Sequence, residues 1–314
     1  MRPEVTICEC FARDGLQHEP EFVATTDKIA LIDAFTTTGF PRIEATSYSH
    51  PERVPAFRDA SDVLAGISRR PGVWYKATCP NRNAVERALA DLAAGRGANE
   101  ISLLASATEA HTEHNLRTSR AGQWQRIEEM ARIAGGRFRL VGVISVALGC
   151  PFEGAVDPHR VAEDARRFAA LGARLVTIGD TTGLATPSSV RRLFRILREQ
   201  APEVSPIAHF HDTRGAALAN CLAAFEEGCR HFDSSFGGVG GHPAAIRYGE
   251  GHTGNVATED LVNLLEAEGI TTGLDLDRVM AASRLCEQVL KRELDSKVAR
   301  AGFGGLSRGK MQHA

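Results

Sequence analysis

The stretch Pro206-Ile207-Ala208-His209-Phe210-His211-Asp212 places two histidines at the end of an apolar run. The run predicts a β-strand, in which residues two apart point to the same side. His209 and His211 therefore present two imidazoles to one face, at a spacing that suits a metal ion. A His-x-His pair alone is more often an ordinary polar strand end, so its meaning depends on the fold around it.

Short β-branched runs of this kind recur along the chain and alternate with amphipathic segments. The predicted strands are residues 5–8, 42–46, 73–78, 100–104, 139–147, 174–178, 206–211 and 231–235. The predicted helices lie near residues 25–38, 54–68, 83–94, 122–134, 158–171, 187–200, 214–228 and 258–268. This alternation is typical of an α/β protein that folds as a (β/α)8 TIM barrel.

The pattern divides the chain into a TIM-barrel catalytic domain over residues 1–272 and a C-terminal helical extension with a tail over residues 273–314. A doubly wound open sheet is the competing fold. That fold usually carries a glycine-rich fingerprint after its first strand. Here the first strand leads into Phe11-Ala12-Arg13-Asp14-Gly15, which is no such fingerprint.

Composition excludes several classes of function. The 314 residues are 43% hydrophobic and 24% charged, with a net charge of −2 and no run of like charges. We therefore expect no nucleic-acid partner and no binding to an anionic membrane. No apolar stretch approaches the roughly 18 residues that a membrane span needs. The N-terminus shows no signal-peptide pattern, and the seven cysteines form no Cys-x-x-Cys pair, which favours reduced thiols in a cytoplasmic protein.

In a (β/α)8 barrel, the active site lies at the C-terminal ends of the strands. The polar residues predicted at those ends include Arg13, Asp14, Gln17, Glu44, Asp180, His209, His211, His242 and Asn255. Acidic and imidazole groups from distant parts of the chain would thus meet at one mouth.

Four of these residues form a mixed oxygen and nitrogen donor set, namely Asp14, His209, His211 and Asn255. With oxygens from water or substrate, the set suits a six-coordinate Mg²⁺ or Mn²⁺, with Co²⁺ also possible. A structural zinc is disfavoured, because the Cys8 and Cys10 thiols have no second pair. Taken singly, Asp14 and Asn255 are also typical turn residues.

Several motifs carry a family resemblance. They are Arg13-Asp14-Gly15-Leu16-Gln17, Ile43-Glu44-Ala45-Thr46-Ser47, Ala147-Leu148-Gly149-Cys150-Pro151-Phe152-Glu153-Gly154, Gly179-Asp180-Thr181, His209-Phe210-His211-Asp212-Thr213 and Gly254-Asn255-Val256-Ala257-Thr258-Glu259-Asp260. Together they resemble the 3-hydroxy-3-methylglutaryl-CoA (HMG-CoA) lyases, part of a superfamily of barrel metallolyases that also contains isopropylmalate and homocitrate synthases.

The resemblance implies a metal-dependent retro-aldol cleavage of a tertiary 3-hydroxy acyl-CoA to acetyl-CoA and a keto acid, by a homodimer. Carried over residue by residue, Arg13 is the cation facing the developing enolate, and Glu44 and Asp180 are supporting carboxylates. The metal ligands are the four residues of the donor set, of which Asp14 and His209 also count as catalytic. Gln17 is expected to bind substrate.

The chain departs from the family at Gly240-Gly241-His242-Pro243, where the family has Gly-Gly-Cys-Pro. We expect His242 to replace that cysteine in proton transfer, since an imidazole titrates near neutral pH. The segment up to Asn255 is about four residues longer than usual and contains Arg247, a suitable partner for a substrate carboxylate.

The departure leaves the substrate open between HMG-CoA and relatives such as citramalyl-CoA. Two other functions remain. The hypothesis of a Claisen-type condensing synthase is weakened because the chain ends soon after the barrel, where those synthases carry further domains. The hypothesis of a metal-dependent hydrolase is weakened because such enzymes usually carry a His-x-His pair on the first barrel strand, whereas here it is on the seventh.

Overall fold

The computed structural model describes residues 3–241 and 254–304, and within them eight parallel strands close into a barrel. The strands are β1 (Thr6–Glu9), β2 (Arg42–Ser47), β3 (Trp74–Thr78), β4 (Glu100–Ser106), β5 (Arg139–Ser145), β6 (Leu175–Asp180), β7 (Ser205–Phe210) and β8 (His231–Ser234). Each strand pairs in parallel with its neighbour in sequence, and β1 pairs with β8, which closes the barrel. The (β/α)8 TIM barrel predicted from the sequence is confirmed, with every strand end within two residues of its predicted position.

Helices surround the barrel. They are α1 (Thr25–Thr38), α2 (Ala60–Gly66), α3 (Arg82–Ala93), α4 (Glu109–Leu116), α5 (Arg120–Ala134), α6 (Pro158–Ala170), α7 (Pro187–Gln200), α8 (Ala217–Glu226), α9 (Thr258–Ala267), α10 (Leu276–Leu290) and α11 (Lys297–Ala301). Local signals set several of their ends. Thr186 and Ser189 form a capping box at the start of α7, and Gly39 ends α1 in the left-handed conformation with φ of 107°.

Two helical predictions differ from the structure. The single helix predicted near residues 54–68 is a 3₁₀ turn (Pro55–Phe57) followed by α2. Helix α4 was not predicted, because its sequence Glu-Ala-His-Thr-Glu-His-Asn-Leu lacks the apolar periodicity of an amphipathic helix.

The C-terminal extension packs on the outside of the barrel. Arg278 donates to the carbonyl oxygen of Thr37 at the end of α1 (2.8 Å), and the Asp275 amide donates to that of Thr38 (3.1 Å). The division of the chain at residue 272 stays a prediction. In residues 3–241 and 254–304, no helix combines the length and apolar character needed to cross a membrane.

Charged side chains fill the lower interior of the barrel. Arg42 donates to Glu100 across two strands (2.7 Å), and Arg139 pairs with the same carboxylate. Both Arg42 and Glu100 are fully buried, so each charge depends on its partner. The interior of the barrel therefore contains charged residues, whereas apolar side chains pack between the strands and the surrounding helices.

Candidate active site

A cavity of about 990 Å³ opens at the C-terminal ends of the strands. Six of the predicted site residues line it: Arg13, Asp14, Gln17, Glu44, His209 and His211. His242 and Arg247 lie outside the residues that the structure describes. The cavity thus joins residues from β2, β7 and the loop after β1, as a shared barrel mouth requires.

Asp14, His209 and His211 form a compact cluster. One ligand atom from each residue lies within 4.8 Å of the other two, and the two Nε2 atoms are 3.3 Å apart. The imidazoles approach each other because they alternate with Phe210, whose ring is buried in the core. One carboxylate oxygen and two ring nitrogens at this separation can hold a divalent metal ion.

Asn255 reaches the cluster through Asp14. Its Nδ2 donates to Asp14 Oδ2 (2.7 Å) and to the carbonyl oxygen of Val239 (3.1 Å). An isolated antiparallel bridge pairs Asn255 with His211, and backbone hydrogen bonds on either side extend the contact. The Asp212 amide donates to the Gly254 carbonyl oxygen (2.8 Å), and the Val256 amide donates to that of Phe210 (3.0 Å). The backbone therefore holds Asn255 beside the histidines.

The charges in the cluster are coupled. Burial by itself would raise the pKa of Asp14, but the charges of Arg13 and the two imidazoles hold it well below its usual range. Burial would lower the pKa of His209, whereas the carboxylates of Asp233 and Asp14 raise it above its ordinary value. Each partner thus favours the charged form of the other, which is the electrostatic pattern of a site built around mixed charges.

Arg13 and Glu44 make a short ion pair next to the cluster. Arg13 Nε donates to Glu44 Oε1 (2.7 Å), and its Nη1 donates to Asp14 Oδ1 (2.8 Å) and to Gln17 Oε1 (3.3 Å). Thr78 Oγ1 also donates to Glu44 Oε1 (2.9 Å). The guanidinium is therefore fixed by several acceptors, and its charge faces the cavity in one orientation.

Asp180 does not join this group. Its two carboxylate oxygens accept backbone hydrogen bonds from Leu184 (2.9 Å) and Ala185 (3.1 Å), in the loop after β6. Burial raises the pKa of Asp180 to about 6. The neighbouring residues Gly179 and Thr181 line the cavity instead, because side chains on a strand alternate between its two faces.

Two cavity residues, Lys76 and Asp233, were missed in the sequence. Lys76 lies on β3 with Nζ 3.5 Å from Glu44 Oε1, and Asp233 lies on β8 with Oδ2 3.3 Å from His209 Nδ1. The sequence signal that could have identified them is a charged residue inside a predicted strand. Lys76 stands two residues before Thr78, and Asp233 stands two residues after His231. A carboxylate at one ring nitrogen of an imidazole favours one tautomer and ring orientation, so Asp233 orients His209.

The chain has close relatives among known proteins. It matches the HMGL-like family model over residues 4–286. It is 39% identical over 299 residues to the mitochondrial hydroxymethylglutaryl-CoA lyase of Macaca fascicularis. The alignment covers 95% of this chain and 89% of that protein.

Solved structures agree with this match. The hydroxymethylglutaryl-CoA lyase of Pseudomonas aeruginosa is 38% identical, with a TM-score of 0.89 over 95% of this chain and 97% of that one. An HMG-CoA lyase from Acinetobacter baumannii, solved with coenzyme A and 3-methylmalate, is 38% identical, with a TM-score of 0.87 over 95% of both chains. The similarity therefore extends over nearly the whole length of each protein.

Proposed function

The chain belongs to the HMGL-like family, and we propose that it is a divalent-metal-dependent carbon–carbon lyase. Its substrate would be HMG-CoA or a close relative, a tertiary 3-hydroxy acyl-CoA that is cleaved to acetyl-CoA and a keto acid. One observation carries the proposal: Asp14, His209 and His211 converge within 4.8 Å beside a fixed guanidinium in a cavity large enough for an acyl chain.

The donor set fits a hard divalent cation. Asp14, His209, His211 and Asn255 would hold Mg²⁺ or Mn²⁺, with Co²⁺ also acceptable, because carboxylate, amide and imidazole donors suit these ions. A bound ion supplies Lewis-acid chemistry, which lowers the pKa of the substrate hydroxyl.

Arg13 provides charge stabilisation for the reaction. A base takes the proton of the tertiary hydroxyl, the hydroxyl carbon becomes a carbonyl, and its bond to the carbon next to the thioester breaks. The electron pair remains on the thioester fragment as an enolate. Arg13, held by Glu44 and Asp14, presents a positive charge that needs no reorganisation when the enolate forms.

The enolate must then be protonated on carbon to give acetyl-CoA, and we assign this step to His242. Gly241, the residue before it, lines the cavity, and Gly240 packs against the Asn255 amide. His242→Ala is expected to lower kcat by more than about threefold, whereas His252→Ala, in the same segment, serves as the matched control. If both variants keep kcat within about threefold of the wild type, another group delivers the proton.

Gln17 and Arg247 are proposed to bind substrate. Gln17 lines the cavity and is positioned by its hydrogen bond from Arg13, and Arg247 has a guanidinium suited to a carboxylate. Asp180 is proposed to act as a positioning residue, since it holds the loop that carries Thr181 to the cavity wall.

The test is a product assay on the purified, Mn²⁺-loaded protein with HMG-CoA and citramalyl-CoA. We expect acetyl-CoA from at least one of them, detected by liquid chromatography and mass spectrometry. His209→Ala should abolish this product, and His159→Ala, a histidine bonded to Gln200 on the surface, should not. Release of free CoA without carbon–carbon cleavage would instead identify a thioester hydrolase. The condensing-synthase alternative is not favoured, because the relatives are lyases.

Assembly and compartment are also proposals. The homodimer expected from the resemblance is tested by light scattering coupled to size-exclusion chromatography. All seven cysteines are free and buried, which supports a reducing, cytoplasmic setting.

A further inference from the structure

Lys76 places an ammonium group in the active-site cavity. Its side chain is 3% exposed, and Glu44 is its carboxylate neighbour, at 3.5 Å. Within residues 3–241 and 254–304, Nζ makes no hydrogen bond of normal geometry. Burial would lower the pKa of Lys76, but the carboxylates of Glu44 and Asp233 raise it above its ordinary value, so the group is charged. The ammonium reaches the cavity beside one carboxylate, and its N–H donors are available to acceptors on a bound ligand.

Thr177 contributes a second polar group to the same cavity. This β6 residue is 3% exposed, and its Oγ1 has no hydrogen-bond partner in the described part of the chain. Buried hydroxyls are normally hydrogen-bonded, so an orphan on a cavity wall points to a ligand acceptor or donor. Neither Lys76 nor Thr177 belongs to the proposed metal-ligand set, and both therefore remain available for the substrate.

The charges that line the inner cavity indicate which ligand fits. Among the buried and half-buried residues of the lining, three carboxylates, from Asp14, Glu44 and Asp233, face two cations, from Arg13 and Lys76. The cavity is also lined by Arg53 and Arg117, which are exposed to solvent. A bound divalent cation would leave one positive charge in excess. One free carboxylate on the acyl chain would neutralise it, whereas the same site without Lys76 would already be neutral. The positive charge of Lys76 therefore favours the binding of an anionic substrate.

We propose that Lys76 and Thr177 form an anion subsite for a free carboxylate on the acyl chain, and that this subsite selects carboxylate-bearing acyl-CoA substrates over neutral ones. The proposal deepens the proposed lyase function and rests on it. It assigns substrate selection to a residue inside the barrel, separate from Arg247 in the segment before Asn255.

The test compares HMG-CoA with its methyl ester, in which the carboxylate is neutral and the reacting atoms are unchanged. Lys76→Met is expected to lower kcat/KM for HMG-CoA by at least about 30-fold, mainly through KM, and to change that for the ester by less than about threefold. Thr177→Val is expected to give about a 3- to 10-fold loss with the same selectivity. Isothermal titration calorimetry should show matching changes in Kd. If Lys76→Met does not fold, Lys76→Gln, which keeps a polar side chain but not the charge, is expected to show the same selective loss for HMG-CoA.

Three results would overturn the subsite. One is an equal loss for both thioesters, and another is no loss for either. The third is that the preference for HMG-CoA over its methyl ester is lost in Arg247→Met and unchanged in Lys76→Met. If the wild type cleaves neither of these thioesters nor citramalyl-CoA, the lyase proposal fails separately. The calorimetric comparison then still decides, because weaker binding of HMG-CoA alone by Lys76→Met supports the subsite and unchanged binding overturns it.

Discussion

Glu9→Gln is expected to remove a pH dependence of stability that is built into the end of β1. The Glu9 carboxyl is fully buried, and its Oε1 accepts backbone hydrogen bonds from Phe11 (2.9 Å) and Phe236 (3.2 Å). Its Oε2 accepts a hydrogen bond from Thr258 Oγ1 (2.6 Å), at the start of α9. Burial raises the pKa of Glu9 from 4.5 to about 8, although these three hydrogen bonds lower it.

The direction follows from proton binding. Between pH 4.5 and about 8, the folded protein keeps a proton on Glu9 that the unfolded chain releases. The free energy of unfolding therefore falls as pH rises through this window. At 1.36 kcal/mol for each pH unit, the full effect is roughly 5 kcal/mol at most.

Glutamine reproduces the protonated carboxyl at every pH. Its carbonyl oxygen can accept from both backbone amides, and its amide can donate to Thr258, whose hydroxyl can then donate to Ser234 at 2.7 Å. Glu9→Gln should therefore match the wild type near pH 5 and exceed its stability by several kcal/mol at pH 8. Urea unfolding at pH 5, 6.5 and 8 measures this difference, with the exposed Glu52→Gln as control. Parallel pH profiles for the two proteins, or a variant less stable at every pH, would refute the reasoning.

Three further variants probe the site and its loops. Asp233→Asn removes the carboxylate beside His209 and should weaken Mn²⁺ binding about 10- to 100-fold by calorimetry; unchanged affinity would contradict the supporting role. Arg13→Lys keeps the charge but cannot donate to Glu44 and Asp14 from two fixed nitrogens, so kcat should fall about 100-fold in steady-state assays while Mn²⁺ affinity stays within about threefold. Gly183→Ala should lower the free energy of unfolding in urea by about 1–3 kcal/mol, because φ at this residue is 62° and the new Cβ would lie 2.7 Å from the Thr213 side chain. An unchanged free energy of unfolding would show that the loop relaxes.

The barrel was predictable because its signal is periodic and local. Strands such as β5 (Arg-Leu-Val-Gly-Val-Ile-Ser) are short apolar runs between polar residues, and all eight predicted strands end within two residues of the observed ends. Helix α4 carries no such pattern, since its polar residues are spread around the helix. Its first turn is held by a long-range contact, since the Ala110 amide donates to Glu153 Oε1 (2.7 Å), and no local window contains both residues.

The sequence analysis missed Lys76, in the middle of β3, and Asp233, the register partner of His209 on β8, because each is a single charged residue in a short strand. Lys76 and Asp233 look like misplaced charges until the closed barrel brings them beside Glu44 and His209. Asp180 also occupies a strand end, but its carboxylate accepts from the following loop and does not line the cavity. Which face of a strand points inward depends on barrel register, and register is a property of the assembled sheet.

The backbone contact between His211 and Asn255 has an evolutionary consequence. The Asp212 amide donates to the Gly254 carbonyl oxygen and the Val256 amide donates to that of Phe210, so the backbone position of Asn255 is set by contacts of residues 254–256 with the end of β7. Changes in the length or sequence of residues 244–253, which follow His242, are therefore expected to leave Asn255 beside His211. A lineage could diversify its substrates by changing these residues while it inherits His242 and the candidate metal ligands.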